Sequence, residues 1–224
     1  MKVLFLGTGA NDWSLCEKEK SDFYRRNASV LIDECILIDP GPGVIDAINE
    51  YSIDVKKIKY ILNTHKHDDH FNPDTLKYLT DSGAEFIECE EECEFNLGSY
   101  MVKAVGGHHR VPVLHYLISD GKKRMFYGLD GAWLMYNEVD AIKESKVDFA
   151  VLDGTIGFRD GDYRIFEHNN LNMVIEMKKT LSDYIDRFCI SHMAYTLHTD
   201  HDSLVTDMSR YGIEVASDGM EIEF

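Results

Sequence analysis

The chain has 224 residues, 44% of them apolar, and its 23 Lys+Arg against 40 Asp+Glu leave a net charge of −17. That apolar content excludes intrinsic disorder, no run approaches the roughly 20 apolar residues that span a bilayer, and clustered basic contacts to nucleic acid or anionic lipid are not on offer. The length suits one α/β domain with a full core, so 1–224 is read as a single domain.

Met1–Leu6 turns into Gly7-Thr8-Gly9 too soon for an export signal and reads as a first strand over Lys2–Leu6. A polar stretch runs through Arg26. Strands follow at Ser29–Ile32 and Cys35–Asp39, joined by the two-residue turn Asp33-Glu34. Pro40-Gly41-Pro42-Gly43 stops the second, and Val44–Tyr51 has helical spacing. Ile58–Leu62 is a short apolar run suited to a buried strand, and the polar loop Asn63–His70 leaves it. Asn72-Pro73 supplies an N-cap and a proline at the first helical position, predicting helix over Pro73–Leu79.

Further strands are predicted at Glu85–Cys89, Tyr100–Val105, Val113–Ser119 and Arg124–Leu129. A helix near Val139–Lys143 leads to a strand at Phe149–Leu152. Leu171–Lys179 is helical, Arg187–Ile190 extended and His201–Arg210 helical, and Ile213–Ala216 and Met220–Phe224 close the chain as strands. Hairpins outnumber βαβ crossovers in this reading. The predicted class is α/β (α+β), a mixed-sheet sandwich flanked by helices, in preference to a doubly wound parallel sheet.

Five cysteines (Cys16, Cys35, Cys89, Cys93 and Cys189) are odd in number and scattered, which suggests free thiols and a cytoplasmic location. Cys89 and Cys93 have no second pair nearby, which argues against a structural zinc there.

The histidines carry the chemistry. His65-Lys66-His67-Asp68-Asp69-His70 packs three imidazoles and two carboxylates into six residues at a predicted strand end. A divalent cation holds such groups together, because neutral imidazole and carboxylate both ligate zinc, manganese and iron. Residues two apart on a strand face opposite ways, so His65 and His67 converge only from a loop. Four ligands this close suit two ions about 3.5–4 Å apart, His65 and His67 on one, Asp69 and His70 on the other. Asp68 is then left to orient a ligand or handle a proton. Each ion still needs ligands from strand ends elsewhere.

The segment Thr64–His70 resembles the HxHxDH signature of the metallo-β-lactamase superfamily of metal-dependent hydrolases. The resemblance implies a four-layer αββα sandwich and adds His109, in Gly107-His108-His109-Arg110, as third histidine. It also adds Asp130, after Tyr127-Gly128-Leu129, as bridging aspartate, and His192, after Cys189-Ile190-Ser191, as last histidine. His108 competes with His109, and Asp153 with Asp130; His115, within a strand, reads as a core histidine. Within the superfamily the chain is similar to the phosphoribosyl cyclic phosphate phosphodiesterases. Glu167–Asn172 resembles their segment around an active-site histidine, and Asp218–Ile222 their ending. That likeness makes His168 a phosphate contact or the acid for the leaving oxygen, with Asp69 the other catalytic candidate. The group's N-terminal cysteine cluster is not matched beyond Cys16, and Tyr195 stands where a helping histidine is expected.

The implied chemistry is hydrolysis of a small, cyclic phosphodiester by a hydroxide bridging two divalent ions (Zn²⁺, Mn²⁺ or Fe²⁺). The ions would outweigh Asp69, Asp130 and the hydroxide and create a positive focus in an acidic protein. Arg110 and Lys66 are candidate phosphate clamps or plain surface charges. His198 and His201 edge the pocket or cap a loop. The expected partner is a small-molecule phosphodiester, with no duplex nucleic acid, tRNA or membrane; a homodimer is left open. A lactonase-type hydrolase of a small ester, or a non-catalytic metal-binding sensor, are the alternative readings.

Overall fold

The computed structural model describes residues 1–16 and 23–224. The predicted polar stretch through Arg26 lies, for residues 17–22, outside the described residues. The chain forms two compact units, Met1–Cys89 with Ala216–Glu223, and Glu90–Val215 with Phe224. Each is built on one mixed sheet with helices packed against it.

In the first unit, β1 (Lys2–Gly7), β2 (Ser29–Ile32), β3 (Ile36–Ile38), β4 (Tyr60–Leu62) and β5 (Glu85–Phe86) are joined by the C-terminal strand, so that the order is β13-β1-β2-β3-β4-β5, β13 being Glu221–Glu223. The pairs from β13 to β3 are antiparallel and those from β3 to β5 parallel. Asp33 and Glu34 both take positive φ, 46° and 56°, in a turn closed by the Cys35 amide donating to the Ile32 carbonyl at 2.8 Å; Ile32 pairs with Ile36, so the connection is one residue longer than the expected two-residue turn. Helices α1 (Val44–Glu50) and α2 (Pro73–Asp81) return the chain between the parallel strands. Val44, Ala47, Ile48 and Leu79 join Leu6, Leu31, Leu37 and Ile61 in one core, each large side chain contributing about 1.5–3 kcal/mol of burial. Asn72 caps α2 as predicted, its side chain accepting from the Asp74 and Thr75 amides, worth about 0.5–2 kcal/mol.

In the second unit the order is β12-β11-β10-β9-β8-β7-β6. The strands are β6 (Glu94–Leu97), β7 (Tyr100–Gly106), β8 (Leu114–Ser119), β9 (Arg124–Gly128), β10 (Val147–Asp153), β11 (Ile185–Ser191) and β12 (Ile213–Val215). β6 to β9 form an antiparallel meander, and β9 to β12 are parallel. Parallel neighbours need crossovers, here α3 (Tyr136–Ser145), α4 (Leu171–Leu181) and α5 (His201–Ser209). Ala141, Ile142, Leu171, Val174, Met177, Leu204 and Met208 of these helices share a core with Phe126, Leu152, Phe188 and Ile190.

One expectation is corrected, and one strand is added. Each helix from α1 to α5 serves as a crossover between parallel strands, so hairpins do not outnumber crossovers. β6, Glu94-Phe95-Asn96-Leu97, is not among the predicted strands; it alternates polar and apolar residues over only four positions and pairs with β7 in a hairpin. No described helix is long and apolar enough to cross a membrane.

Candidate functional site

In the first unit the site begins where β4 ends. His65, His67, Asp69 and His70 lie in a tight loop in which the His70 and Phe71 amides donate to the His67 carbonyl, at 3.0 and 2.9 Å. The His65 ring centroid is 4.5 Å from that of His67 and 4.6 Å from that of His70. His65, Asp69 and His70 are buried, and Gly41, with no side chain, lets the Asp69 carbonyl approach the turn after β3. His70 Nε2 lies 3.5 Å from Asp69 Oδ2, and His65 Nε2 lies 2.9 Å from His67 Nδ1.

The carboxylate that organises this loop is Asp39, at the end of β3. Its Oδ1 accepts from the Thr64 amide (2.7 Å) and hydroxyl (2.8 Å), and its Oδ2 from His70 Nδ1 (2.9 Å). Because the Thr64 hydroxyl donates to Asp39, its oxygen accepts from His65 Nδ1 at 3.0 Å. Both histidines are thereby held as Nδ1–H tautomers, with their Nε2 lone pairs toward His67 and Asp69. Outer hydrogen bonds of this kind orient metal-ligating imidazoles. Asp68 is exposed, and it is Asp39 that orients His70.

In the second unit the strand ends of β9, β10 and β11 bring Asp130, Asp153 and His192 together. Asp130 and His192 take left-handed backbone, φ 55° and 62°, a conformation costing about 1–3 kcal/mol that Asp and His tolerate better than most residues. Asp130 Oδ2 is 3.3 Å from His192 Nε2, and Asp130 Oδ1 is 3.9 Å from His109 Nε2. One carboxylate thus offers a separate oxygen to each of two imidazoles. His109 donates from Nδ1 to the Glu167 carbonyl at 3.0 Å, which turns its Nε2 to Asp130, whereas His108 is exposed.

Asp153 is fully buried and its oxygens are filled. Oδ1 accepts from the amides of Thr155 (2.9 Å) and Asn169 (3.1 Å). Oδ2 accepts from the Asp130 amide (3.1 Å), the Thr155 hydroxyl (3.0 Å) and His168 Nδ1 (2.9 Å). Burial alone would raise its pKa, but His168 and then His192 hold it below the usual carboxylate value. Burial likewise opposes a charged His168, yet Asp153 first, with Asp130 and Glu167, outweighs it and raises the imidazole to about 9. The rings of His168 and His192 stack at 5.5 Å.

The donor chemistry fits divalent ions. Within the second unit, Asp130, Asp153, His168 and His192 each offer one atom within 4.8 Å of the others, as do His109, Glu167 and His168. Asp153 spends its lone pairs on five donors, so Asp130 is the carboxylate left to face ions.

A model of the metallo-beta-lactamase superfamily matches residues 23–72, the segment from before β2 through His70. No curated protein matches the chain. Among solved structures, a diphosphatase of the PhnP family is similar over 100% of this chain and 97% of its own, with a TM-score of 0.75 at 19% identity. Zn²⁺-bound PqqB from Methylobacterium extorquens is similar over 100% of both chains (TM-score 0.76, 18% identity). Human tRNase Z, short form, is similar over 100% of this chain and 99% of its own (TM-score 0.73, 18% identity). The chain has the metallo-β-lactamase fold.

Within this metallo-β-lactamase fold the remaining candidates are assigned by their contacts. Arg110 is largely exposed and 4.0 Å from Glu167, and Lys66 is exposed and 3.7 Å from Glu88, so both are surface charges here. His198 Nε2 lies 2.7 Å from the Gly154 carbonyl and ties down the loop after β10. His201 opens α5. Asn170, not His168, caps α4, accepting from the Met173 amide at 2.9 Å. With a tRNase Z among the similar structures, the exclusion of tRNA drawn from the acidic balance is not supported. Sequence reasoning missed Asp39, Thr64 and Thr155. An aspartate closing an apolar strand just before Pro40 was a signal for the first; the two threonines had none.

Proposed function

We propose that this chain is a metal-dependent hydrolase of small phosphodiesters. Its two divalent ions would be held by His65, His67, Asp69 and His70 together with His109, Asp130 and His192. The observation that carries the reading is the shared orientation of four imidazoles. His65, His70, His109 and His192 each have Nδ1 engaged by a protein oxygen and Nε2 toward another candidate ligand. When bound, two such ions supply positive charge for a phosphoryl oxygen and a water acidic enough to attack near neutral pH.

The chain's own residues supply the rest. Asp130 presents one oxygen to each of two imidazoles, as a shared ligand must. Asp153 holds His168 by Nδ1, leaving the Nε2–H of the charged ring as the proton for a departing alkoxide. Thr155 and Asn169 keep Asp153 in place. Support for a phosphate ester as substrate comes from the similar PhnP-family diphosphatase and tRNase Z, and the Zn²⁺-bound PqqB makes zinc the first ion to try.

Elemental analysis should find about two ions per chain. The loaded protein should turn over bis-aryl phosphodiesters and ribose cyclic phosphates in preference to lactones, with a tRNA precursor in the same panel. Less than one ion per chain would sink the metal assignment. Two ions with lactone turnover alone would replace the substrate, and two ions with no turnover would favour a sensor.

A further inference from the structure

His115 sits in β8, opposite Val105 of β7, and its side chain is 1% exposed. Its Nδ1 is 2.5 Å from Glu138 Oε1 and its Nε2 is 2.8 Å from the Leu129 carbonyl. Both partners are acceptors, so both ring nitrogens donate and the ring is a buried imidazolium. Glu138, also fully buried, accepts from the Met135 amide through its other oxygen at 2.7 Å and so anchors the ring to the start of α3.

Three glycines close on this ring. A methyl on Gly107 would stand 2.5 Å from His115 Cε1, one on Gly131 2.8 Å from Cε1, and one on Gly128 3.2 Å from Nδ1. Gly107 lies two residues before His109, while Gly128 and Gly131 bracket Asp130. The Ala132 amide donates to the His108 carbonyl at 3.0 Å, joining the same two loops beside the ring.

We infer that His115 is a positioning residue that clamps the His109 loop to the Asp130 turn and thereby sets the spacing of these two ligands. The inference rests on the metal-binding reading above. Packing alone does not account for it. A buried ion pair is often no better than apolar residues of the same volume, and an apolar residue cannot grip the Leu129 carbonyl. That grip falls on the peptide joining Leu129 to the left-handed Asp130, and the amide of the same peptide is held by Asp153. That peptide, on the N-terminal side of the ligand's Cα, is thus held at both its carbonyl and its N–H.

Two substitutions of similar disruption separate the nitrogens. H115Q carries a donor at about the reach of Nε2 and keeps the Leu129 bond; H115N reaches only as far as Nδ1 and keeps the Glu138 bond. In the metal-free chain, Ala132 amide exchange should be at least about tenfold faster in H115N than in H115Q. Metal titration should show affinity about 10- to 100-fold weaker in H115N. Equal Ala132 protection and equal affinity in the two variants would overturn the inference. Should H115N not fold, E138Q loosens the ring without removing it and should shift both readouts the same way by less; no shift would again overturn it. Wild-type protein that binds no ion would sink the metal reading alone, since Ala132 exchange still judges the clamp.

Discussion

Thr155 Oγ1 lies 2.8 Å from His192 Nδ1, and it donates its own proton to Asp153. The first unit repeats the device with different residues: Thr64 Oγ1 is 3.0 Å from His65 Nδ1 and donates to Asp39. In each unit the same buried aspartate also takes a second imidazole by Nδ1, His168 on Asp153 and His70 on Asp39. A hydroxyl relay fixes the tautomer without placing a second full charge against the imidazole.

Thr155→Val keeps the shape and deletes the relay. The buried His192 Nδ1–H loses its acceptor, at a cost of about 1–3 kcal/mol, and metal affinity should fall about 10- to 100-fold. Thermal denaturation and metal titration of the variant check this, and unchanged affinity would remove Thr155 from the site.

Asp130→Ala and Asp153→Ala should differ in kind. The first removes both oxygens that face His109 and His192, so about one ion per chain should be lost together with activity. The second removes a support and should retain the metal content while lowering turnover. Elemental analysis of both decides, and the reverse result would exchange their roles.

His168→Gln tests the leaving-group acid. With a p-nitrophenolate leaving group, which departs without a proton, the loss should be small. With an alkoxide leaving group it should reach about 10²- to 10⁴-fold in kcat. Equal losses on both substrates would contradict the role.

His115 makes stability depend on pH in a stated direction. Burial opposes its charge, but the Glu138 carboxylate, the Leu129 carbonyl and the charge of Asp130 outweigh it and raise the pKa above 6.5. The folded state therefore holds a proton that the unfolded state releases first. The stabilisation is complete below the unfolded value and is lost as pH rises through the folded one. The Tm advantage of wild type over H115Q should be largest below about pH 6.5 and shrink on the alkaline side. Denaturation series on both proteins measure it, and an advantage that grows with pH would refute the charged pair.

The candidate ligand loop was legible because its signal is local: six consecutive residues, His65 to His70, with three imidazoles and two carboxylates. Strand and helix limits around it were legible for the same reason, with β2 found at Ser29–Ile32 and Asn72 in place as a cap. The choice of His109 over His108 came from a family likeness; the Nδ1 bond from His109 to the Glu167 carbonyl, which turns its Nε2 to Asp130, could not be read from the sequence. The parallel pairing of β9 to β12 was not legible, because partners distant in the chain decide it, whereas β6 is a strand of only four residues in a local hairpin with β7, too short for its pattern to stand out.

The amino-acid order by itself determined which side chains are suited to ligate and that they leave strand ends, since spacing and chemistry are properties of short segments. Only the tertiary structure decided which groups hold them. Asp39 stands 31 residues from His70, Thr155 37 from His192 and His115 23 from Glu138. Hydrogen bonds across such separations exist only after the sheets have formed. Tautomer, carboxylate occupancy and the spacing of His109 and Asp130 are therefore consequences of packing and not of pattern.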